Sequence, residues 1–198
     1  MSLAGGLDRS PHRPRVFCIG LNKTGTSSFH AAMTILGFES LHWGGPSIRQ
    51  RVEAALAAGQ PLLSNLDPRY DAFSDIEPLT KNFRLLGEQY PGSQFVLTVR
   101  PVDAWIDSRR RHVANNVRRK EAGQYDGHFL VADETGWRAE WESHVGAVRQ
   151  YFAGRMDLLE LNVATNTGWG PLCSFLRVPT PAALYPWVNR NPATNNTS

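Results

Sequence analysis

The chain has 198 residues, 41% of them hydrophobic and 20% charged, which is enough for one compact domain with its own core and leaves little room for two. The net charge of +3 suits an anionic small ligand or an acidic substrate as well as it suits nucleic acid. No run of about twenty apolar residues occurs and no apolar segment opens the chain, so the sequence predicts neither a transmembrane helix nor a secretory signal.

Strand and helix patterns alternate along the chain. Short runs of β-branched and aromatic residues predict strands, and apolar residues three to four apart predict helices. In chain order we predict a strand over 15–20, a helix over 26–36, a strand over 38–43, a helix over 46–58, a strand over 70–75, a helix over 78–90, a strand over 93–99, a helix from near Pro101 to about residue 120, a loop over 121–131, a helix over 133–153, a strand over 157–163, a helix over 168–177 and an irregular segment from Pro179.

This alternation predicts right-handed crossovers and a mostly parallel sheet of about five strands, covered by helices on both faces. The expected fold class is therefore three-layer α/β/α. We expect a flexible leader over 1–14, a single domain over 15–190 and a flexible tail over 191–198. Ligands in such folds bind beyond the carboxyl ends of the strands, so residues that directly follow a strand are the first candidates for a site.

The two cysteines, Cys18 and Cys173, lie in apolar stretches of the sequence. Without a secretory signal, two such thiols favour a reduced compartment and argue against a disulfide between them. We therefore expect a cytoplasmic protein in which both thiols are free.

The segment VFCIGLNKTGTSS, residues 16–28, is the most informative in the chain. Gly20 and Gly25 have the spacing of a Walker A loop, but Thr26 stands where that motif has its lysine, and Lys23 precedes the second glycine. A strand, a glycine-bounded loop and a helix present backbone N–H groups and the positive end of the helix dipole to an anion. Helix capping alone would not explain four hydroxyls and a lysine. The predicted phosphate-binding residues are Asn22, Lys23, Thr24, Gly25, Thr26, Ser27 and Ser28.

The stretch LNKTGTSS resembles the 5′-phosphosulfate loop of the sulfotransferases, in which the lysine also precedes the glycine. Those enzymes use 3′-phosphoadenosine 5′-phosphosulfate (PAPS). The resemblance implies a P-loop NTPase-like fold and in-line transfer of a sulfuryl group to a hydroxyl or amine of a small-molecule or glycan acceptor, without a metal. It also implies that Lys23 stabilises the leaving phosphate oxygen.

A second segment supports the same family. The strand FVLTV ends in Arg100, and Ser108 follows eight residues later in the predicted helix. The pair resembles the arginine and serine with which sulfotransferases hold the 3′-phosphate, a role that suits the bidentate hydrogen bonds of a guanidinium. Either residue alone would pass for an ordinary surface side chain. The resemblance, to the bacterial-type branch, covers roughly residues 15–190.

The chain departs from the family pattern in one place. Pro101 directly follows Arg100, whereas many members have Asn-Pro or Asp-Pro there. A third basic contact to the 3′-phosphate usually comes from a late loop, and Arg190 is the candidate for it.

Two residues are candidates for the general base. Many sulfotransferases have a histidine or an acid just after the third strand and ahead of a proline, where this chain has Asp75 in FSDIEP. Burial would have to raise the carboxyl pKa from near 3.9 for strong base catalysis. Alternatively, Asp75 caps the helix that begins near Pro78. His42, after the second strand, is the second candidate, and a mechanism without a base stays open.

The acceptor side is less informative. Residues 109–120, RRRHVANNVRRK, carry six basic side chains, which form either a solvated helix face or an electropositive wall at the mouth of the site. Trp43 is expected to line the acceptor pocket. No nucleic-acid motif is present, so no nucleic-acid partner is predicted. The sequence predicts neither the acceptor nor the oligomeric state.

Two other functions compete with sulfuryl transfer. A P-loop kinase or nucleotide hydrolase would need a lysine after Gly25 and a Walker B aspartate, and neither is evident. A non-catalytic nucleotide-binding protein of the same fold would bind the nucleotide without transferring a group.

Overall fold

The computed structural model describes residues 13–162 and 169–188. Its strands are β1 (Val16–Cys18), β2 (Ser40–His42), β3 (Ala72–Ser74), β4 (Gln94–Val99) and β5 (Leu158–Asn162). They form one parallel sheet in the order β2-β3-β1-β4-β5. Because β1 lies in the middle, the residues that follow it reach the centre of the sheet's carboxyl edge.

Seven helices connect these strands within the described residues: α1 (Thr26–Ile35), α2 (Gly45–Ala57), α3 (Glu77–Lys81), α4 (Phe83–Gln89), α5 (Val102–Glu121), α6 (Glu134–Tyr151) and α7 (Gly170–Leu176). The predicted α/β fold class with a five-stranded parallel sheet is confirmed. Only the predicted helix over 78–90 differs, because it is broken at Asn82. The Asn82 side-chain amide donates to the Pro78 carbonyl at 2.8 Å, and a ψ of 34° turns the chain out of the helical path.

The alternation of side chains along β1 shows how both faces of the sheet are covered. Phe17 and Ile19 belong to the core cluster on the side of α2, α3, α4 and α6. Val16 and Cys18 belong to the cluster on the side of α1 and α7. The result is the predicted three-layer arrangement. Cys18 and Cys173 are both buried and both free thiols, as predicted.

A third apolar cluster lies at the carboxyl edge of the sheet. Leu21, which directly follows β1, packs there with Trp105 and Val113 of α5 and Trp137 of α6. The Trp105 indole donates a hydrogen bond to the Asn22 carbonyl at 2.7 Å. This cluster holds α5 against the loop after β1 and makes α5 a wall beside it.

The predicted leader and tail fall outside the described residues, except for residues 13 and 14, so that division of the chain stays a prediction. Across 13–162 and 169–188, no helix has the length and apolar character needed to cross a membrane.

Candidate active site

Three residues constrain the turn of the loop after β1, one by a close approach and two by their backbone conformation. A Cβ at Gly20 would lie 2.5 Å from the Thr98 carbonyl oxygen, so only glycine lets the loop pass this close to β4. Gly25 has a φ of 110° and forms the N-cap of α1. Lys23 has a φ of 66°, a left-handed conformation that is uncommon for a residue with a side chain. The lysine therefore stands at the apex of a tight, constrained turn.

Hydrogen bonds within the loop and to residues of β4 and the turn after it hold the loop after β1 in place. The Thr24 hydroxyl donates to the Leu21 carbonyl at 2.6 Å and lies 2.7 Å from the Thr98 hydroxyl. The Arg100 guanidinium donates to the Lys23 carbonyl at 3.1 Å. Both donors of Thr24 serve the loop itself, because its backbone N–H also points to the Leu21 carbonyl, at 3.3 Å.

The N-terminus of α1 is open. No side chain caps it, so the alternative reading of the loop hydroxyls as helix caps is wrong. The first N–H groups of a helix have no partner within the helix, and here they face the cleft together with the positive end of the dipole. This arrangement is suited to an anion.

One cleft of about 1300 Å³ opens over this loop. Because the strands are parallel, residues after β1, β2, β3 and β4 meet along the same edge, as the sequence predicts. The cleft brings together all the predicted site residues that the structure describes: Asn22, Lys23, Thr24, Gly25, Thr26, Ser27, Ser28, His42, Asp75, Arg100 and Ser108. Arg190 lies outside the described residues.

Asp75 lies in the cleft on a strained backbone. Its φ is 58°, and the N-cap of α3 is Ile76 with no side-chain cap, so the alternative that Asp75 caps this helix is wrong. Burial raises the pKa of the Asp75 carboxyl from 3.8 to about 6, and the positive charge of Lys23 opposes part of that rise. A carboxylate with such a pKa can accept a proton near neutral pH.

His42 lies beside Asp75, and burial moves the pKa of its imidazole in the opposite direction. Burial, and secondarily the neighbouring His30, lower the pKa of the His42 imidazole to about 4. Its Nδ1 hydrogen-bonds the Ser74 hydroxyl at 2.9 Å and its Nε2 the Ser27 hydroxyl at 3.3 Å. The imidazole is therefore neutral at neutral pH, and its 3.9 Å approach to Asp75 is not an ion pair.

Arg100 and Lys23 supply positive charge at the centre of the cleft. Burial lowers the pKa of both, an effect that the charge of Asp75 partly offsets for Lys23. The Arg100 Nε is buried and has no hydrogen-bond partner among the described residues. Ser108, on the adjoining wall, is half-buried and lines the same cleft. Pro101 is the N-cap residue of α5, so the departure from the family pattern leaves a regular helix start.

The basic segment over 109–120 is neither wholly a solvated helix face nor wholly an electropositive wall of the cleft. All the arginines and the lysine of this segment except Arg109 are exposed, and two of the exposed residues, Arg111 and Arg119, line the cleft. Arg109 is buried, and its guanidinium bonds Glu140 at 2.7 Å among aromatic rings of α5, of α6 and of the loop between them. Only part of the segment therefore forms an electropositive wall.

Several cleft residues were missed from the sequence. Trp43 lines the cleft as expected, with 59% of its surface exposed. The predicted loop over 121–131 also lines it, through Tyr125, His128 and Phe129, none of which the sequence singled out. Nothing in the sequence indicated that the segment after α7 reaches the cleft. Trp187 and Val188 of this segment line the cleft, and the Val188 N–H donates to the Ser28 hydroxyl at 3.0 Å.

The sheet, its helical layers and the cleft at the carboxyl edge define a three-layer α/β protein of the P-loop-like class. The sequence profile of the sulfotransferase domain matches residues 15–125 and 115–194 of the chain. These matches cover most of its length, so the chain belongs to the sulfotransferase domain family and is a sulfuryl-transferring enzyme. No curated protein matches the chain. Its assignment to the bacterial-type branch stays a prediction.

Proposed function

We propose that this sulfotransferase takes its sulfuryl group from PAPS and transfers it to a hydroxyl or amine of a small-molecule or glycan acceptor. The observation that carries this proposal is the bond from Arg100 to the Lys23 carbonyl, which joins two anion-binding features in one cleft. The open N-terminus of α1 is one feature and the guanidinium is the other. PAPS carries phosphate at both its 5′ and its 3′ position, whereas the phosphates of ATP form one continuous chain.

The residues around Arg100 fit a phosphate. A buried guanidinium N–H without an acceptor costs about 1–3 kcal/mol, which a phosphate oxygen bonded to it would offset. Among the described residues, no carboxylate forms an ion pair with Arg100. Ser108 lies on the neighbouring helix as a hydroxyl donor. An arginine and a serine so placed suit the 3′-phosphate of the donor.

Each group along the cleft has a distinct proposed role. PAPS supplies a sulfuryl group attached to its 5′-phosphate through a bridging oxygen. The N–H groups at the start of α1, with the hydroxyls of Thr26, Ser27 and Ser28, would hold the 5′-phosphosulfate. The Lys23 ammonium would stabilise the negative charge that develops on the bridging oxygen as the S–O bond breaks. In the described part of the chain no group of three or more His, Cys, Asp or Glu side chains is arranged to hold a metal ion.

Asp75 is the better of the two candidate bases. Catalysis by a general base is most efficient when its pKa lies near the working pH, and the Asp75 pKa of about 6 meets that condition. His42, with a pKa of about 4, is a weaker base. Its two hydrogen bonds to serines would instead orient it as a neutral partner for the acceptor.

The deciding experiment compares ligands by thermal unfolding, followed by a transfer assay. At a concentration 100 times its Kd, 3′,5′-ADP should add about 2.7 kcal/mol to the free energy of unfolding. ADP, AMP and ATP with Mg²⁺ at the same concentration should add much less. PAPS should then sulfate at least one acceptor in a panel of sugars, phenols, lipids and amines.

Three outcomes would contradict the proposal in different ways. If 3′,5′-ADP raises the Tm no more than ADP does, the donor is not PAPS. A preference for ATP with Mg²⁺ would favour the kinase or hydrolase. Binding of 3′,5′-ADP without transfer to any acceptor class would favour the non-catalytic alternative. Arg149→Ala is a suitable control, because Arg149 pairs with Glu160 at an exposed site outside the cleft.

A further inference from the structure

Three consecutive arginines of α5 differ in their partners. Arg109 bonds the Glu140 carboxylate at 2.7 Å. Arg110 bonds Glu134 at 2.8 Å and Asp107 at 3.2 Å. Arg111 has no hydrogen bond or ion pair with any residue that the structure describes. It is the cation of the three whose charge is left without a carboxylate.

The position of Arg111 directs that charge towards the predicted 3′-phosphate site. It follows Ser108 by three residues, and side chains three apart on a helix lie on the same face, about 5–6 Å from each other. Arg111, Ser108 and Arg100 all line the cleft. One turn of α5 and the end of β4 thus bring two arginines and a serine to the same wall.

The two guanidinium groups repel each other in the free protein. After burial, the charge of Arg111 is the largest cause that lowers the pKa of Arg100, and Asp107 opposes it only in part. Asp107 is itself bonded to Arg110. Like charges turned to one cavity and only partly offset by an acid are unfavourable until an anion binds there.

A phosphate monoester is the anion that suits this arrangement. It carries about −1.5 to −2 charges at neutral pH and has three acceptor oxygens, so one arginine alone does not neutralise it. Arg100 contributes one positive charge and Ser108 an uncharged hydroxyl, so together they do not balance the charge of a phosphate monoester. The unpaired guanidinium of Arg111 can supply a second positive charge and further donors.

We infer that Arg111 binds the 3′-phosphate of the donor nucleotide together with Arg100 and Ser108, and so helps to select nucleotides that carry this phosphate. The inference rests on the proposed function and assigns to α5 the further basic contact that the sequence placed at Arg190. Arg119, which also lines the cleft, has other partners: it donates to the Gln124 carbonyl and lies over the Tyr125 ring.

The test measures Kd for 3′,5′-ADP and for 5′-AMP, which lacks the 3′-phosphate, by calorimetry. Arg111→Ala should weaken binding of 3′,5′-ADP about 10- to 100-fold, the range expected for a lost charged hydrogen bond. Binding of 5′-AMP should change less than about twofold, because the contact is to the missing group. Arg111→Lys should recover part of the loss through its charge.

Arg110→Ala is the matched control. It removes an arginine from the next position of the same helix, but one whose charge is already paired and turned to solvent. Both affinities should stay within about twofold of the unmodified protein. The ligand-free Tm of Arg111→Ala should equal or exceed that of the unmodified protein, because the repulsion with Arg100 is removed.

The outcomes separate this inference from the function on which it rests. If the unmodified protein prefers 3′,5′-ADP over 5′-AMP and Arg111→Ala keeps that preference, Arg111 does not bind the 3′-phosphate and the proposed function stands. An equal loss for both nucleotides would show a general electrostatic effect and overturn the inference. If the unmodified protein shows no preference, the proposed function itself fails.

Discussion

The His42 Nε2 and the Asp75 Oδ2 lie 3.9 Å apart, and burial moves the pKa values of the two groups towards each other and past one another. The imidazole, with a pKa of about 4, loses its proton before the carboxyl, with a pKa of about 6, loses its own. Between these values both groups are uncharged. Above pH 6 the pair consists of a carboxylate and a neutral imidazole, which leaves the negative charge of Asp75 free to accept a proton.

The pH dependence of turnover distinguishes the two candidate bases. A base must be deprotonated to act, so with Asp75 as base kcat/KM should fall as the pH drops through about 6. With His42 as base the fall should come near pH 4. The measurement is kcat/KM from pH 3 to 8 at constant ionic strength, with circular dichroism to confirm folding. A midpoint near 4 that survives in Asp75→Asn would exclude Asp75.

Asp75→Asn should be less active and more stable. The folded-state pKa of Asp75 is raised above its ordinary value of 3.8, so its contribution to stability is fully present below about pH 3.8 and is lost as the pH rises through about 6. Asparagine carries no charge and tolerates a positive φ. At pH 7.5 the free energy of unfolding of the variant should be at most about 3 kcal/mol higher, because the Asp75 pKa in the folded protein lies about two pH units above its ordinary value.

Urea denaturation at pH 7.5 and at pH 4.5 checks this prediction. The gain should shrink as the pH falls, because Asp75 is then mostly protonated in the unmodified protein too. A variant that is destabilised equally at both pH values would show that the carboxylate makes a stabilising contact.

Lys23→Met should impair turnover more than binding. Methionine keeps the length of the side chain and removes the charge proposed to stabilise the leaving oxygen, so kcat should fall about 100- to 1,000-fold. The Kd for 3′,5′-ADP should rise less than about tenfold, because the Lys23 carbonyl still accepts the Arg100 hydrogen bond. Single-turnover kinetics with titration calorimetry separates the two effects. A loss confined to Kd would refute the catalytic role.

The same variant makes a second effect measurable. The Lys23 charge holds the Asp75 pKa down against burial, so its removal should move the midpoint of the pH profile to higher pH. A midpoint that stays in place would mean that Lys23 and Asp75 are not electrostatically coupled in the enzyme.

Gly20→Ala tests the close approach of the loop to β4. A Cβ there would lie 2.5 Å from the Thr98 carbonyl oxygen and 2.9 Å from the Thr24 hydroxyl, so we expect a loss of about 1–3 kcal/mol in stability and weaker nucleotide binding. Gly146→Ala is the control. Gly146 lies within α6 with open space around it, and alanine should add about 0.5–1 kcal/mol. Equal stability of both variants would show that the loop can move away.

Features that depend on residues close together in the sequence could be predicted from the sequence alone. The spacing of apolar residues predicts β4 and α5, and the order of hydroxyls, lysine and glycine predicts the loop. Arg100 could be found from its place directly after a strand, and Ser108 from the resemblance of the pair to the sulfotransferase pattern. The break at Asn82 could not, since it depends on whether one side-chain amide bonds a carbonyl four residues earlier.

Contacts between distant parts of the chain were beyond sequence reasoning. Ser28 and Val188 are 160 residues apart, and nothing in either segment indicates that they meet. The pairing of Arg109 and Arg110 with acids of α6, which leaves Arg111 free to face the cleft, likewise depends on how two helices pack. The spacing of apolar residues predicts one helix or strand at a time. The contact partners of a side chain depend on how those elements pack in the folded protein.

The loop after β1 is held by Thr98, by the Trp105 indole and by the Arg100 guanidinium, three side chains of β4, α5 and the turn between them. A loop secured in this way needs little ordering when a nucleotide arrives, so association should lose little conformational entropy. Amide hydrogen exchange of the loop should then be slow already in the free protein. The rate of capture would be set by diffusion into the cleft rather than by closure of the loop around its ligand.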